Sequence, residues 1–320
     1  MSSLPKRNLG TTGFEVSELG FGAWPIGGTM YGPVDENEAI ECVKAYLAAG
    51  GNFIDTARRY GQSEAVLGKV LSQCTNRDRI ILATKTFMGD CIESIPKIRS
   101  ELEDSLRLLQ TDYVDLYYLH MPPDDPEIMN CALEEFETIK KEGKIRAIGA
   151  SIKGPAVTGQ TVNLCRQYID SGRVDVIQVV YSILRQRCTE IFDYAHRSGV
   201  GVVARTSIES GFLSGKYRPG HLFTESHRRR WEAVTQRRIF DVVAEVEAYA
   251  IRLPYSSLAQ VAIRFALEPM SVSSVIVGAK SAGQAQMNTA VASLPPLDAD
   301  IMERLKREFA GMTEGFNPAK

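Results

Sequence analysis

The chain has 320 residues, a net charge of −2, an apolar fraction of 44% and a charged fraction of 24%. This length suits either two average domains or one large α/β barrel, and the composition is ordinary for a globular protein. A net charge so close to zero argues against nucleic acid or an acidic membrane surface as a partner.

Short apolar segments with the character of β-strands recur along the chain, at 18–22, 52–54, 79–84, 114–119, 145–149, 174–178, 200–204 and 274–277. Segments with apolar residues at helical spacing separate most of them, for example 94–109. Apolar strands that alternate with helices predict parallel strands joined by right-handed crossovers, and eight such units close into a (β/α)8 TIM barrel. The alternative, an open doubly wound sheet, requires a G-x-G-x-x-G motif after the first strand, and the Gly-rich segment 20–28 lacks that spacing. We therefore predict one barrel domain over residues 1–320.

Two segments depart from this alternation. Before the first barrel strand, KRNLGTTGFEVSE predicts a short hairpin that closes the N-terminal end of the barrel. Between the seventh and eighth strands, the long interval 205–273 predicts a functional loop and two further helices, at 236–250 and 256–267. A last helix is predicted at 298–310, after the capping candidate Asp298.

The cysteine, histidine and basic residues narrow the function further. The cysteines at 42, 74, 91, 131, 165 and 188 form no CxxC pair, which indicates reduced thiols and a cytoplasmic protein. The N-terminus lacks an apolar leader, so we expect neither secretion nor membrane insertion. No two of the four histidines have metal-ligand spacing, so we expect no metal. The basic run 227–231 is typical of a solvated helix face or a mobile loop.

Four polar residues follow the apolar runs of successive predicted strands. Asp55 ends the second strand and Tyr60 lies in the loop after it, Lys85 ends the third strand, and His120 ends the fourth. In a TIM barrel these strand ends share one mouth, where the chemistry takes place. We expect the Lys85 ammonium to lower the pKa of the Tyr60 phenol, Asp55 to keep that ammonium charged, and His120 to position a carbonyl oxygen. Such a set protonates an oxygen that gains charge when a carbonyl accepts hydride.

With these residues the chain resembles the aldo-keto reductase superfamily over nearly its whole length. NFIDTARRYGQSEAVLG at 52–68 is similar to the pattern D-T-A-x-x-Y-G-x-S-E-x-x-L-G, ILATK to the lysine strand, and YVDLYYLH to the D-L-x-x-x-H segment. The resemblance implies a (β/α)8 barrel that reduces aldehydes or ketones with NADPH, NADH being the alternative, and without a metal. It also implies that Asp55, Tyr60, Lys85 and His120 are the catalytic tetrad.

The resemblance further implies a set of cofactor contacts. Gln178 and Tyr181 match Q-x-x-Y, in which the amide holds the nicotinamide carboxamide and the ring stacks on the nicotinamide. The segments 202–217 and 275–288 match the loop around the pyrophosphate and the segment around the adenosine phosphate. The candidate cofactor-binding residues are Ser151, Gln178, Tyr181, Arg205, Thr206, Ile208, Gly211, Leu213, Lys216, Gly278, Lys280, Gln284 and Asn288. Lys280 beside a helix N-terminus suits a 2′-phosphate and favours NADPH.

Several positions depart from the family pattern. Ile152 replaces an amide, which weakens one hydrogen bond to the nicotinamide. Arg205, Ser207 and Glu209 replace an aromatic residue, a proline and a small residue, so we expect a different loop path and local charge. Met287 stands where a glutamate often pairs with the adenine amino group.

Loops above the tetrad set the choice of substrate, and the candidate substrate-binding residues are Trp24, Tyr31, Arg59, Phe87 and Met121. We expect a sugar-like or short carbonyl compound. Two alternatives stay open: a cofactor-binding regulatory subunit of a membrane channel with slow turnover, and a lyase or isomerase that uses the nicotinamide transiently. The sequence does not predict the oligomeric state.

Overall fold

The computed structural model describes residues 4–89, 91–152, 157–229, 231–251 and 254–309. Eight parallel strands, β3 to β10, pair in chain order, and β10 pairs with β3 to close a barrel. The predicted (β/α)8 fold is therefore confirmed. The strands are β1 Lys6–Asn8, β2 Glu15–Ser17, β3 Leu19–Gly22, β4 Phe53–Asp55, β5 Ile81–Phe87, β6 Val114–His120, β7 Ile145–Ser151, β8 Val176–Val180, β9 Gly201–Arg205 and β10 Ser274–Gly278.

Helices connect most consecutive strands and surround the barrel. They are α1 Glu36–Ala48, α2 Ser63–Leu71, α3 Lys97–Leu109, α4 Pro126–Lys141, α5 Gly159–Asp170, α6 Thr189–Arg197, α7 Ser226–Arg229, α8 Ala233–Ala250, α9 Leu258–Leu267, α10 Ala282–Ala290 and α11 Ala299–Phe309. Side-chain caps fix several starts: Asp35 and Asp125 each accept hydrogen bonds from two backbone N–H groups in the first turn of α1 and α4. Helix α3 begins at Lys97 rather than at residue 94, because Ile92–Ser94 forms a separate 3₁₀ turn and Pro96 occupies the N-cap.

The predicted N-terminal hairpin consists of β1 and β2, which pair antiparallel. Its apolar residues share one buried cluster with inward-facing barrel residues: Leu9, Phe14, Val16, Phe53, Ile81, Ala83, Leu116, Tyr118, Ala147, Val176, Val203 and Ile276. Arg7 ties the hairpin to the end of the barrel, since its Nη1 donates to the Val272 carbonyl at 2.7 Å and its Nε lies 2.7 Å from Glu18. The hairpin closes the N-terminal end, so the opposite end is left for the site.

The long interval between β9 and β10 holds α7, α8 and α9, and both predicted helices of that interval are present. Helix α9 begins at Leu258 because the Ser257 side chain caps it, accepting from the Gln260 backbone N–H. The last helix ends at Phe309 within the described residues; residue 310 of its prediction lies outside them. Within the described ranges, no helix combines the length and apolar character needed to cross a bilayer.

Candidate active site

Alternation along the strands brings the candidate residues to one place. Residues two apart on a strand face the same side, and Ala83, Tyr118, Ala147, Val176 and Val203 face the barrel interior. The residues two positions after each of them therefore also point inward, at the C-terminal ends of five successive strands. They are Lys85, His120, Gly149, Gln178 and Arg205. Asp55 ends β4 and completes this mouth.

Asp55 and Lys85 form a buried ion pair at the base of the mouth. The Lys85 Nζ donates to Asp55 Oδ1 at 2.5 Å and to the Thr56 carbonyl at 2.7 Å. Burial lowers the pKa of Lys85, and the Asp55 charge is the largest influence that raises it. The carboxylate therefore supports the charged ammonium, as the sequence predicted.

Tyr60 lies above this ion pair. Its ring centroid is 5.0 Å from Lys85 Nζ and 6.0 Å from the His120 ring, which meets it edge-on at 90°. Contrary to the expectation that Lys85 lowers it, the pKa of Tyr60 is raised, first by burial and then by the Asp55 charge, with Arg205 opposing. Both hydrogen bonds found for the ammonium go to Asp55 and Thr56, so Lys85 does not hold the phenol oxygen directly.

His120 is half-buried in this arrangement. Burial, followed by the charges of Lys85, Arg205 and Arg59, lowers its pKa well below 6.5. The imidazole is therefore neutral near pH 7, and its Nδ1 has no hydrogen-bond partner within the described residues. A neutral ring keeps one N–H that can donate to a carbonyl oxygen.

Gln178 links two neighbouring parts of the mouth. Its Oε1 accepts from Ser151 Oγ at 3.0 Å, and its Nε2 donates to Asp55 Oδ2 at 2.7 Å. Both ends of the amide are thus satisfied, as burial requires. A hydrogen-bonded chain runs from Ser151 through Gln178 and Asp55 to Lys85.

The structure contradicts the expected position of Tyr181. Its side chain is fully buried, stacks on Phe265 of α9 at 5.4 Å and meets Phe192 of α6 edge-on at 5.0 Å. The ring therefore lies between the barrel and its helices, outside the mouth, and cannot stack on a nicotinamide there. The position follows from the strand alternation: Gln178 faces inward, and a residue three positions later faces the opposite side, toward the helices.

Arg205 is the cationic group at the end of β9. Its Nη2 donates to the Ile152 carbonyl at 2.9 Å, so the side chain reaches from β9 past β8 to the end of β7. Its Nε is buried without a partner in the described part of the chain. The side chain of Ile152 is itself buried, consistent with the loss of the family's amide there.

The loop after β9 has an unusual backbone path. Positive φ values occur at Thr206, Glu209, Ser210 and Gly211 (66°, 48°, 55° and 95°), a conformation that non-glycine residues rarely adopt. Glu209 is buried, and it accepts from Arg185 Nη2 at 2.7 Å, so the added charge is neutralised locally. In the same loop Leu213 is buried, Ile208 half-buried and Lys216 exposed.

The second predicted phosphate region lies between β10 and α10. Ser281 caps α10, and the Lys280 backbone N–H donates to Gln284 Oε1 at 2.9 Å. Asn288 Nδ2 reaches back to the Gly278 carbonyl at 3.2 Å. Gly278 itself permits a close approach, because a Cβ there would lie 2.6 Å from Pro25 Cγ. Met287 is largely exposed on α10.

The candidate substrate residues form two groups on the rim. Trp24 stacks on the Tyr60 ring at 5.6 Å and meets Tyr31 edge-on at 5.1 Å, which places both aromatic rings over the mouth. On the other side, the Arg59 guanidinium lies 3.4 Å above the Phe87 ring. Met121 follows His120 with a φ of 56°.

Sequence reasoning missed the part played by the basic run. Arg228 is buried, its Nε donates to the Ser210 carbonyl at 2.8 Å, and its guanidinium packs 5.0 Å from the Tyr31 ring. A solvated helix face is therefore wrong for Arg228, although Arg229 is exposed. Lys280 Nζ also donates to the Tyr31 carbonyl. The partners come from distant loops, so no local pattern could have revealed them.

The chain is similar to known proteins over most of its length. The model of the aldo/keto reductase family matches residues 18–308. The aldo-keto reductase YhdN of Bacillus subtilis is 32% identical over 87% of this chain and 85% of its own length. The NADH-specific methylglyoxal reductase of Escherichia coli is 28% identical over 97% of this chain and 100% of its own. The holo form of an aldo-keto reductase from Bacillus halodurans superposes with a TM-score of 0.76, at 30% identity and 97% coverage of both chains.

Proposed function

Because the chain belongs to the aldo/keto reductase family, we propose that it reduces an aldehyde or ketone to an alcohol, with NADPH as hydride donor and Tyr60 as general acid. The observation that carries the proposal is the position of Tyr60 between His120 and the Lys85–Asp55 ion pair at the open end of the barrel. Parallel barrels carry their chemistry at this end.

The residues divide the proton chemistry among them. The raised pKa of Tyr60 keeps its hydroxyl protonated at neutral pH, as an acid must be before it donates. A bound reduced nicotinamide supplies the hydride. The carbonyl oxygen then becomes a stronger base than a phenolate, so Tyr60 transfers its proton in the favourable direction. Lys85 and Arg205 stabilise the negative charge that remains on the Tyr60 oxygen. The neutral His120 donates a hydrogen bond that orients the carbonyl oxygen.

The residues present fit a nicotinamide dinucleotide. Ser151 and Gln178 offer a hydroxyl and an amide at the mouth, where a carboxamide can exchange for their mutual hydrogen bond. Lys280 and the N-terminus of α10 suit a 2′-phosphate, with the Lys280 ammonium leaving the Tyr31 carbonyl to bind it. The E. coli relative is named NADH-specific, so the family does not fix the choice, and Lys280 supports NADPH.

The proposal also covers the cellular compartment, the substrate and the partners of the protein. The six cysteines are free and three of them are buried, which favours a reducing compartment such as the cytoplasm. The substrate is a small carbonyl compound that enters under Trp24 and Tyr31. We propose no nucleic-acid or membrane partner.

Steady-state oxidation of NADPH with a panel of aldehydes and ketones tests the proposal. We expect turnover with at least one carbonyl compound, together with formation of the matching alcohol in equal amount. Tight NADPH binding without turnover on any compound would favour the regulatory subunit. Product formation without net NADPH consumption would favour the lyase or isomerase.

A further inference from the structure

Two arginines flank His120 at the mouth, and within the described part of the chain neither forms an ion pair. They are Arg59, in the loop after β4, and Arg205, at the end of β9. The neighbouring Arg58 differs, because its Nη1 lies 3.7 Å from the Glu64 carboxylate. Arg59 is exposed and Arg205 is half-buried. Two like charges around one mouth repel each other, so this pair requires an explanation.

Arg59 is fixed on the β5 side of His120. Its Cζ lies 3.4 Å from the centroid of the Phe87 ring. Phe87 is opposite His120 in the β5–β6 register, and the two rings are 6.4 Å apart. Stacking on an aromatic face holds a guanidinium in place without neutralising its charge. The N–H groups at the edge of the guanidinium therefore stay available to a ligand.

Arg205 is fixed on the β7 side of His120. Its Nη2 bonds to the Ile152 carbonyl, and Ile152 directly follows Ser151, which is opposite His120 in the β6–β7 register. Its Nε is buried and has no partner among the residues that the structure describes. A carbonyl partner neutralises no charge, so the second guanidinium also keeps its full positive charge.

Three carboxylates near the mouth already bond to residues other than Arg59 and Arg205. Asp55 bonds to Lys85 and Gln178, Glu64 faces Arg58, and Glu209 pairs with Arg185. Burial lowers the pKa of His120 first, and the positive charges of Lys85, Arg205 and Arg59 lower it further. The mouth therefore has a surplus of positive charge around Tyr60 and His120.

We propose that the substrate is a short oxo acid, whose carboxylate is bound by Arg59 and Arg205 while its carbonyl oxygen lies at Tyr60 and His120. This inference rests on the reductase function proposed above. A planar guanidinium matches a carboxylate through two parallel N–H···O bonds, which favours a carboxylate over a neutral hydroxyl group.

In the reaction the carbonyl carbon accepts a hydride and the oxygen accepts the Tyr60 proton. The C=O π bond breaks, C–H and O–H bonds form, and the dinucleotide is left oxidised. The product is the hydroxy acid, and its carboxylate is unchanged.

Matched substrate pairs test the proposal with the full chain and NADPH. The pairs are pyruvate with methyl pyruvate, and succinic semialdehyde with butanal. We expect kcat/KM to favour the acid of each pair by about tenfold or more, one tenfold step corresponding to about 1.4 kcal/mol of binding. Because the ester is the more electrophilic carbonyl compound in the first pair, preference for the acid there must come from binding. Raising the salt concentration should reduce the preference.

Variants identify the residue responsible. Arg59→Gln should lower kcat/KM for the acids at least tenfold more than for their neutral partners, and Arg59→Lys should restore part of the preference. The control Arg107→Gln, on α3 with its side chain 72% exposed, should leave both values as in the parent protein. Equal kcat/KM for acid and neutral partner, or an equal loss on both in Arg59→Gln, would overturn the inference alone. Reduction of other carbonyl compounds but of no member of either pair would also overturn the inference alone. The reductase proposal itself fails if no compound of the whole aldehyde and ketone panel is reduced.

Discussion

The Lys85 ammonium donates to the Asp55 carboxylate across 2.5 Å, and the two side chains are only 0% and 2% exposed. Such a pair is weak evidence for stability, because desolvation offsets much of the attraction, but either ion is costly when left alone. Removing one ion alone and removing both should therefore have different effects on stability.

Removal of the carboxylate should destabilise the protein more than removal of both charges. Asp55→Ala leaves Lys85 buried with only the Thr56 carbonyl, and we expect a loss of about 3–5 kcal/mol in the free energy of unfolding. The double variant Asp55→Ala/Lys85→Met should recover part of that loss. Urea denaturation measures both. If the losses in the free energy of unfolding caused by the two substitutions simply add in the double variant, the two charges do not stabilise each other.

His120 should make folding stability depend on pH. Its folded pKa lies well below 6.5, so below about pH 6.5 the unfolded chain binds a proton that the folded chain does not. The free energy of unfolding should therefore fall as pH drops through this range, by up to about 1.4 kcal/mol per pH unit from this group. In His120→Asn this contribution disappears. Identical slopes for the two proteins between pH 5 and 7 would contradict the prediction.

Gly149 should be irreplaceable because Tyr118 occupies the space beside it. A Cβ at Gly149 would lie 2.3 Å from Tyr118 Cδ1, and the Tyr118 ring lies 5.5 Å from Lys85 Nζ. We expect Gly149→Ala to cost about 1–3 kcal/mol or more and to lower kcat by shifting the lysine. The matched control is Gly283→Ala in α10, where a Cβ would meet nothing within 4 Å, so this change should be neutral or stabilise by up to about 1 kcal/mol.

Lys280 should determine the preference for NADPH over NADH. Lys280→Met removes the ammonium beside the N-terminus of α10, and we expect the Kd for NADPH to rise about 10–100-fold, the effect of a charge-assisted hydrogen bond. The Kd for NADH should change less than threefold. Fluorescence titration with both dinucleotides measures this. If the binding of NADPH and of NADH weakens equally, Lys280 acts by holding the Tyr31 loop and not by binding the 2′-phosphate.

Particular residues show what could be read from the sequence. Apolar runs separated by amphipathic segments predicted every barrel strand, and the strand-end rule placed Asp55, Lys85 and His120 at one mouth, because both depend on local periodicity. The same periodicity gives the direction of Tyr181, since a residue three positions after the inward-facing Gln178 faces the helices, whereas the motif match had placed its ring at the mouth.

Two other features depend on the balance of tertiary effects. The pKa of Tyr60 is raised because burial outweighs the neighbouring positive charge, a comparison that requires coordinates. Arg228 is buried because Tyr31 and Tyr217, from two different loops, both pack against its guanidinium. Charge patterning alone predicted a solvated residue at this position.

The role of Tyr60 as general acid is tested most directly by NADPH oxidation in Tyr60→Phe, measured beside NADPH binding. The variant removes only the phenol oxygen and keeps the ring that stacks on Trp24. We predict that the Kd for NADPH changes less than about threefold while the rate of carbonyl reduction falls by about 10²–10⁴-fold. Carbonyl reduction at the parent rate with NADPH binding intact would contradict the assignment of Tyr60.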